Sequence, residues 1–156
     1  MTVADRMGEL GLVLPAPAPP KGAYFPSRRC GDQLWVSGAT ARSEGAPALR
    51  GVVGADVTVD VAREQARLAA LNLLGAVDAA VGLDAVGAVV QLRGYVRAVP
   101  EFGTHPSVID GASRLLLDVF GERVGAHART AIGVASLPGG ACVELDLVVS
   151  LVEAGS

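Results

Sequence analysis

Between Asp60 and Gly82, in "VDVAREQARLAALNLLGAVDAAVG", the residues Ala62, Ala66, Ala69, Leu73, Val77 and Ala80 recur at spacings of three and four. That period puts them on one apolar stripe of an amphipathic helix, with Asp60 placed to cap its start and Gly82 its end. "THPSVIDGASRLLLDVFGE" repeats the signature, with Thr104 before Pro106, then Val108, Ala112, Leu115 and Val119, and Gly121 as the stop. Gly111 inside it costs about 1 kcal/mol of helix propensity relative to Ala, which predicts a close neighbour at that point. Elsewhere the period is two. "AYFPSRRCGDQLWVSGAT" predicts two short strands turning at Gly31–Asp32, the second being "QLWVSG". "GAVVQLRGYVRAV" predicts a long strand with Val90, Leu92, Val96 and Ala98 on one face and Gln91, Arg93, Tyr95 and Arg97 on the other.

"HARTAIGVASLPGGACVELDLVVSL" closes the pattern as two strands joined by a turn at "LPGGA". In the last strand Val143, Leu145, Leu147, Val149 and Leu151 form an apolar face, opposed by Cys142, Glu144, Asp146, Val148, Ser150 and Val152. The order is two strands, helix, strand, helix, two strands, which predicts an α+β sandwich with both helices on one face of the sheet. The other face has no cover from its own chain, yet carries Val148, Val152 and Cys142, so a partner subunit is the expected cover.

Composition sharpens this picture. The 156 residues suit one domain, and 51% hydrophobic against 19% charged residues leaves little polar side chain to coat a monomer. The mean hydropathy is +0.44. The stretch "LPAPAPPKG", Leu14 to Gly22, favours an extended, semi-rigid conformation. It divides the chain into a head and Pro-rich linker over 1–21, with a turn or two of helix around "VADRMGELG", and a single domain over 22–156. No window has the roughly 18 uninterrupted apolar residues of a membrane span. Asp5, Arg6 and Glu9 precede any apolar run, unlike a signal peptide, so a cytoplasmic protein is expected. Cys30 and Cys142, far apart and outside any CxxC, read as small buried hydrophobes. A net charge of −3 with 4% aromatics gives no footprint for nucleic acid.

Few residues are left to carry chemistry. Arg129, leading into a strand, either sits solvated at the strand end or presents its planar fork of donors to a carboxylate. With a hairpin turning at Gly139–Gly140, Glu144 lies on the adjacent strand near residue 135, so Arg129 and Glu144 need not meet within one subunit. They can then line opposite walls of a cleft, one anchoring an anion and the other holding a water, or be no more than solvated charges or an ordinary salt bridge. His105, beside Pro106, reads as a capping or surface residue. His127 would point the same way as Arg129 and is a candidate for the cleft wall. Two histidines without Cys or carboxylates at ligand spacing predict no metal. GxGxxG, GxxxxGK[ST] and GxSxG are all missing, which removes dinucleotide, Walker-type and hydrolase-elbow chemistry.

"GDQLWVSGAT", "PSVIDGASRLLLDVFGE" and "HARTAIGVASLPGGACVELDLVVSL", in this order and separation, resemble the YjgF/RidA family, also called L-PSP endoribonuclease-like, over about Gly22 to Val152. Most specific is R-[ST]-A-[VI]-x-V-x-x-L-P followed by a V-E pair. The resemblance implies a chorismate-mutase-like fold and a homotrimer with the sheets in a central barrel, the helices outside and three clefts between subunits. It implies cofactor-free hydrolysis of reactive enamines and imines, such as 2-aminoacrylate, to 2-oxo acids and ammonia. On that pattern Arg129 binds the substrate carboxylate, Glu144 holds the attacking water, and Tyr24 and Ser37 line the cleft. The Pro-rich head suits a divergent branch. Ala131 stands where deaminases commonly have cysteine, Ala39 where glutamine is usual, and Asp110 where asparagine is frequent. A carboxylate-binding trimer without catalysis, and a single-strand endoribonuclease, are the rival functions; net charge and few aromatics weigh against the latter.

Overall fold

The computed structural model describes residues 1–152. Helix α1 (Val3–Glu9) is followed by strands β1 (Ser27–Cys30) and β2 (Gln33–Ala39), helix α2 (Val59–Val81), strand β3 (Val86–Arg97), helix α3 (His105–Gly125) and strands β4 (Ala128–Val134) and β5 (Val143–Leu151). The strands form one mixed sheet in the order β1-β2-β5-β3-β4. This is an α+β fold, with α2 lying against β2 and β5 and α3 against β3 and β4.

The predicted closing hairpin does not form. β5 runs antiparallel between β2 and β3, while β4 pairs only with β3, in parallel, at the sheet edge. The reason lies in the chain on either side of β4. A parallel pair needs a long crossover, and α3 supplies one between β3 and β4. The segment 135–142 then carries the chain past the end of β3, so β5, whose inward residues are nearly all fully buried, takes the central position. Glu144 therefore faces Tyr95, not residue 135.

Both long helices form where the apolar periods place them, with local corrections. Thr58, not Asp60, caps α2, its Oγ1 accepting from the Val61 N–H at 3.2 Å, while Asp60 pairs with Arg63 in the first turn. Gly82 ends the helix at φ 79°, a conformation without cost only for glycine. Gly121, at φ 74°, breaks α3, and a short turn continues to Gly125. Gly111 is the close neighbour its position predicts: a side chain there would run into the Arg63 carbonyl of α2. On β3 a bulge shifts the alternation, so Val89 is buried and Val90, placed inward by its spacing, is exposed. Cys142 is buried, and desolvation pushes its thiol pKa up, but Cys30 on the edge strand β1 is exposed, contrary to expectation.

The head is fastened to the body. Thr2 and Asp5 form a capping box on α1, the Val3 N–H donates to Asp84 at 2.9 Å, and Met7 enters the core. Beyond it, the Pro15 carbonyl lies so close to Gly75 of α2 that any side chain at 75 would meet it. On the opposite sheet face Trp35, Ile132 and Val152 are about half exposed, whereas Cys142 and Val148, expected to need a partner's cover, are buried within the single chain. Among the described residues no helix is long and apolar enough to cross a membrane.

Candidate active site

Strand parity divides the candidate residues. Leu92, Gly94 and Val96 of β3 point toward the helices, and Arg93, Tyr95 and Arg97 toward the open face. Register carries this to the neighbours: Glu144 and Asp146 stand beside Tyr95 and Arg93 on the open face, whereas Arg129, Ala131 and Gly133 lie beside Leu92, Gly94 and Val96 on the helix side. Arg129 and Glu144 thus emerge from opposite faces of one sheet.

On the open face is a cavity of about 430 Å³ lined by Tyr24, Trp35, Ser37, Arg93, Glu144 and Asp146 among others. Arg93 Nε donates to Asp146 Oδ1 at 2.7 Å and the Tyr95 hydroxyl to Asp146 Oδ2 at 3.0 Å, so both oxygens of Asp146 are occupied. The Glu144 carboxylate makes no hydrogen bond or ion pair among the described residues. Burial, and next the Asp146 charge, push its pKa above the ordinary carboxylate value. Burial also raises the Tyr95 pKa, followed by its bond to Asp146, so Tyr95 remains a neutral donor. Gly38 belongs to the same arrangement, because a Cβ there would collide with the Glu144 carboxylate. The Ser37 hydroxyl donates to the Phe25 carbonyl at 2.7 Å, leaving its lone pairs to accept from a guest.

On the helix side, Arg129 Nη1 donates to Asp110 Oδ1 at 2.7 Å and to Ser113 Oγ at 3.1 Å. Ser113 in turn lies 3.0 Å from His127 Nε2, and His127 Nδ1 lies 2.6 Å from the Gly125 carbonyl. A carbonyl only accepts, so Nδ1 carries the proton, Nε2 accepts from the Ser113 hydroxyl, and Ser113 Oγ accepts from Arg129. His127 shares a side with Arg129, as its spacing predicts, and supports that residue through Ser113. His105 packs edge-on against Phe102, with ring centroids 4.9 Å apart, and fills the space over Gly133. Ala131 is half buried against the core.

The cavity therefore brings together Tyr24, Ser37 and Glu144, while Arg129, Asp110 and Ala131 form a second group at the β4 edge. Asp146, Arg93 and Trp35 complete the first group, with Tyr95 bonded to Asp146. Alternation along β3 and β5 puts those charges on one face, but only the β3–β5 register matches Arg93 to Asp146. Among the described residues no group of three His, Cys, Asp or Glu side chains could hold a metal ion.

The YjgF/chorismate mutase-like endoribonuclease family matches residues 4–151 of this chain. The chain belongs to that family. Protein TCP17 of Trypanosoma cruzi is 43% identical over 150 residues, covering 96% of this chain and 94% of its own. The crystal structure of protein Atu1372 of Agrobacterium tumefaciens, of unknown function, is 42% identical with a TM-score of 0.87, over 96% of this chain and 92% of that one. Escherichia coli TdcF, crystallised with bound serine, shares the YjgF fold at 22% identity and a TM-score of 0.58, over 86% of this chain and 92% of its own. The match begins at residue 4, so it takes in the head as well as all but the last residue of the segment Gly22 to Val152 that carries the sequence motifs.

Proposed function

We propose that this YjgF-family protein is a homotrimeric, cofactor-free hydrolase of enamines and imines derived from amino acids, acting in clefts between subunits. The observation that carries the reading is Glu144: a half-buried carboxylate, unpartnered among the described residues, raised in pKa, beside Ser37 on the open sheet face. An imine carbon is already electrophilic, so the site must chiefly orient it and place a water. Glu144 takes a proton from that water as the water oxygen bonds to the imine carbon and hands it to the nitrogen, giving a carbinolamine. The carbinolamine hydroxyl proton then passes through Glu144 to the nitrogen, the C–N bond breaks, ammonia leaves and the C=O of the 2-oxo acid forms. Ser37 Oγ, already donating to Phe25, accepts from the substrate N–H.

The carboxylate anchor comes from the neighbouring copy. Arg129 sits on the edge strand β4 on the wrong face to serve Glu144 of its own chain, but is accessible at that edge to another. Only Nη1 is engaged by Asp110 and Ser113, which leaves Nε and Nη2 as a two-pronged donor for a carboxylate. The bound serine of TdcF, an amino acid, is in keeping with a ligand of this kind. A trimer also covers Trp35 and Ile132, and a cytoplasmic setting suits substrates formed during amino-acid breakdown. RNA cleavage fits less well, since Arg93, the cation on the cavity lining, is already paired with Asp146 and gives no basic track for a phosphate backbone.

The test is ammonia release from imines generated in place by an amino-acid oxidase, with the native protein, Glu144→Gln and Arg129→Ala. Acceleration by the native protein that is lost in both variants is the expected result. Failure to speed hydrolysis of any imine in a panel from alanine to leucine would overturn the proposal, and a carboxylate-binding trimer would replace it if 2-oxo acids still bound.

A further inference from the structure

Behind the Glu144 cavity lies a second space of about 490 Å³, between the Pro-rich segment and α2. Pro15, Pro17 and Pro19 form one wall, and Asn72, Leu73 and Ala76 of α2 the other. Tyr24, Ser37 and Gly38 line both spaces, so they meet at the residues that flank the reactive carboxylate. The chamber's walls are fixed. Proline holds the strap extended, Gly75 admits the Pro15 carbonyl against the helix, and α1 ties the far end into the core. Asn72 donates to the carbonyls of Thr40 and Arg42, each at 2.7 Å, which pins the loop closing the side.

A three-carbon imine does not use this room. Its six non-hydrogen atoms, each allotted the ~30 Å³ that a water takes in the liquid, fill less than half of the first cavity alone. We infer that the chamber under Pro15–Lys21 receives the side-chain arm of the substrate, so that the preferred imines derive from amino acids with long apolar side chains rather than from the serine-derived 2-aminoacrylate. Lys21 and Arg42 on its lining, against the single carboxylate of Glu44, disfavour a cationic arm. This rests on Glu144 being the reactive centre, and it identifies the substrate class of that centre.

Binding of stable 2-oxo acids, measured by calorimetry on the full chain, tests the chamber without requiring turnover. Each buried methylene is worth about a factor of four in affinity. 4-Methyl-2-oxopentanoate, three carbons longer than pyruvate, is expected to bind at least tenfold tighter. Ala76→Phe should remove that advantage while pyruvate affinity stays within twofold. Ser43→Trp, at an exposed lining position where folding is not at risk, is expected to do the same. Equal affinity for the two acids in the native protein, binding of neither, or an advantage that survives both variants would overturn the inference. Loss of imine hydrolysis with the binding preference intact would instead fault the catalytic proposal alone.

Discussion

Arg129 and Glu144 project from opposite faces of the same sheet, Arg129 beside Leu92 toward α3 and Glu144 beside Tyr95 toward the open side. The anchor and the base of the proposed hydrolysis therefore cannot converge on one small substrate within a protomer. The proposed cleft between two copies would resolve that geometry. The inward clamp on Arg129 by Asp110 and Ser113 then becomes part of how the anchor is aimed.

Asp110 pairs with Arg129, the proposed anchor. Asp110→Asn keeps an acceptor beside Arg129 but removes the competing negative charge, so pyruvate affinity should rise several-fold in a calorimetric titration. Arg129→Ala should lower it at least tenfold. Because the pair is partly exposed, with 23% and 43% of the side chains accessible, Asp110→Asn should change stability by less than about 1 kcal/mol.

On the proposed mechanism Glu144 sets the acid side of activity. Its folded pKa is raised, so hydrolysis should fall as pH drops through a value above the ordinary 4.5, as the base takes up its proton. The sign for stability is opposite to that of a salt-bridged carboxylate. A raised folded pKa favours the native state at low pH, and this contribution is lost as pH rises through that pKa. Glu144→Gln should therefore melt higher than the native protein at pH 7, with the difference shrinking toward pH 4, and turnover should fall by about 10²–10⁴ at pH 7. Asp146→Asn removes the second cause of the shift and should move the acid limb to lower pH.

Ile132 and Trp35 lie on the open face, 46% and 47% exposed in the single chain. Ile132→Asp should turn a trimer's mass into a monomer's by light scattering and abolish imine hydrolysis, leaving the helical signal in circular dichroism unchanged. A monomeric mass for the native protein would remove the shared cleft.

Gly111 marks the tightest approach of α2 and α3. Gly111→Ala gains helix propensity but drives a methyl into the Arg63 carbonyl, so overpacking should prevail. The expected loss is about 1–3 kcal/mol in denaturant unfolding.

Much of this architecture is written locally. The three-and-four spacing of Ala62 to Val77 and of Val108 to Val119 determines two helices, because the stripe must be buried whatever it packs against. Alternation determines the strands and puts Glu144 with Asp146 on one side of β5, since side-chain parity is a property of the strand itself. Gly111 announces a close contact by its cost. The motif around Arg129 and Glu144 is likewise enough to place the chain in its family. Tertiary structure alone decided which strands are neighbours. The turn at "LPGGA" suggests a hairpin, yet the α3 crossover lays β4 parallel to β3, and β5 takes the centre where both of its edges find partners. From that choice follow the pairing of Arg93 with Asp146, the isolation of Glu144 and the turning of Arg129 toward Asp110. A strand's register and neighbours depend on hydrogen bonds and packing between distant segments, and no local pattern of side chains encodes them.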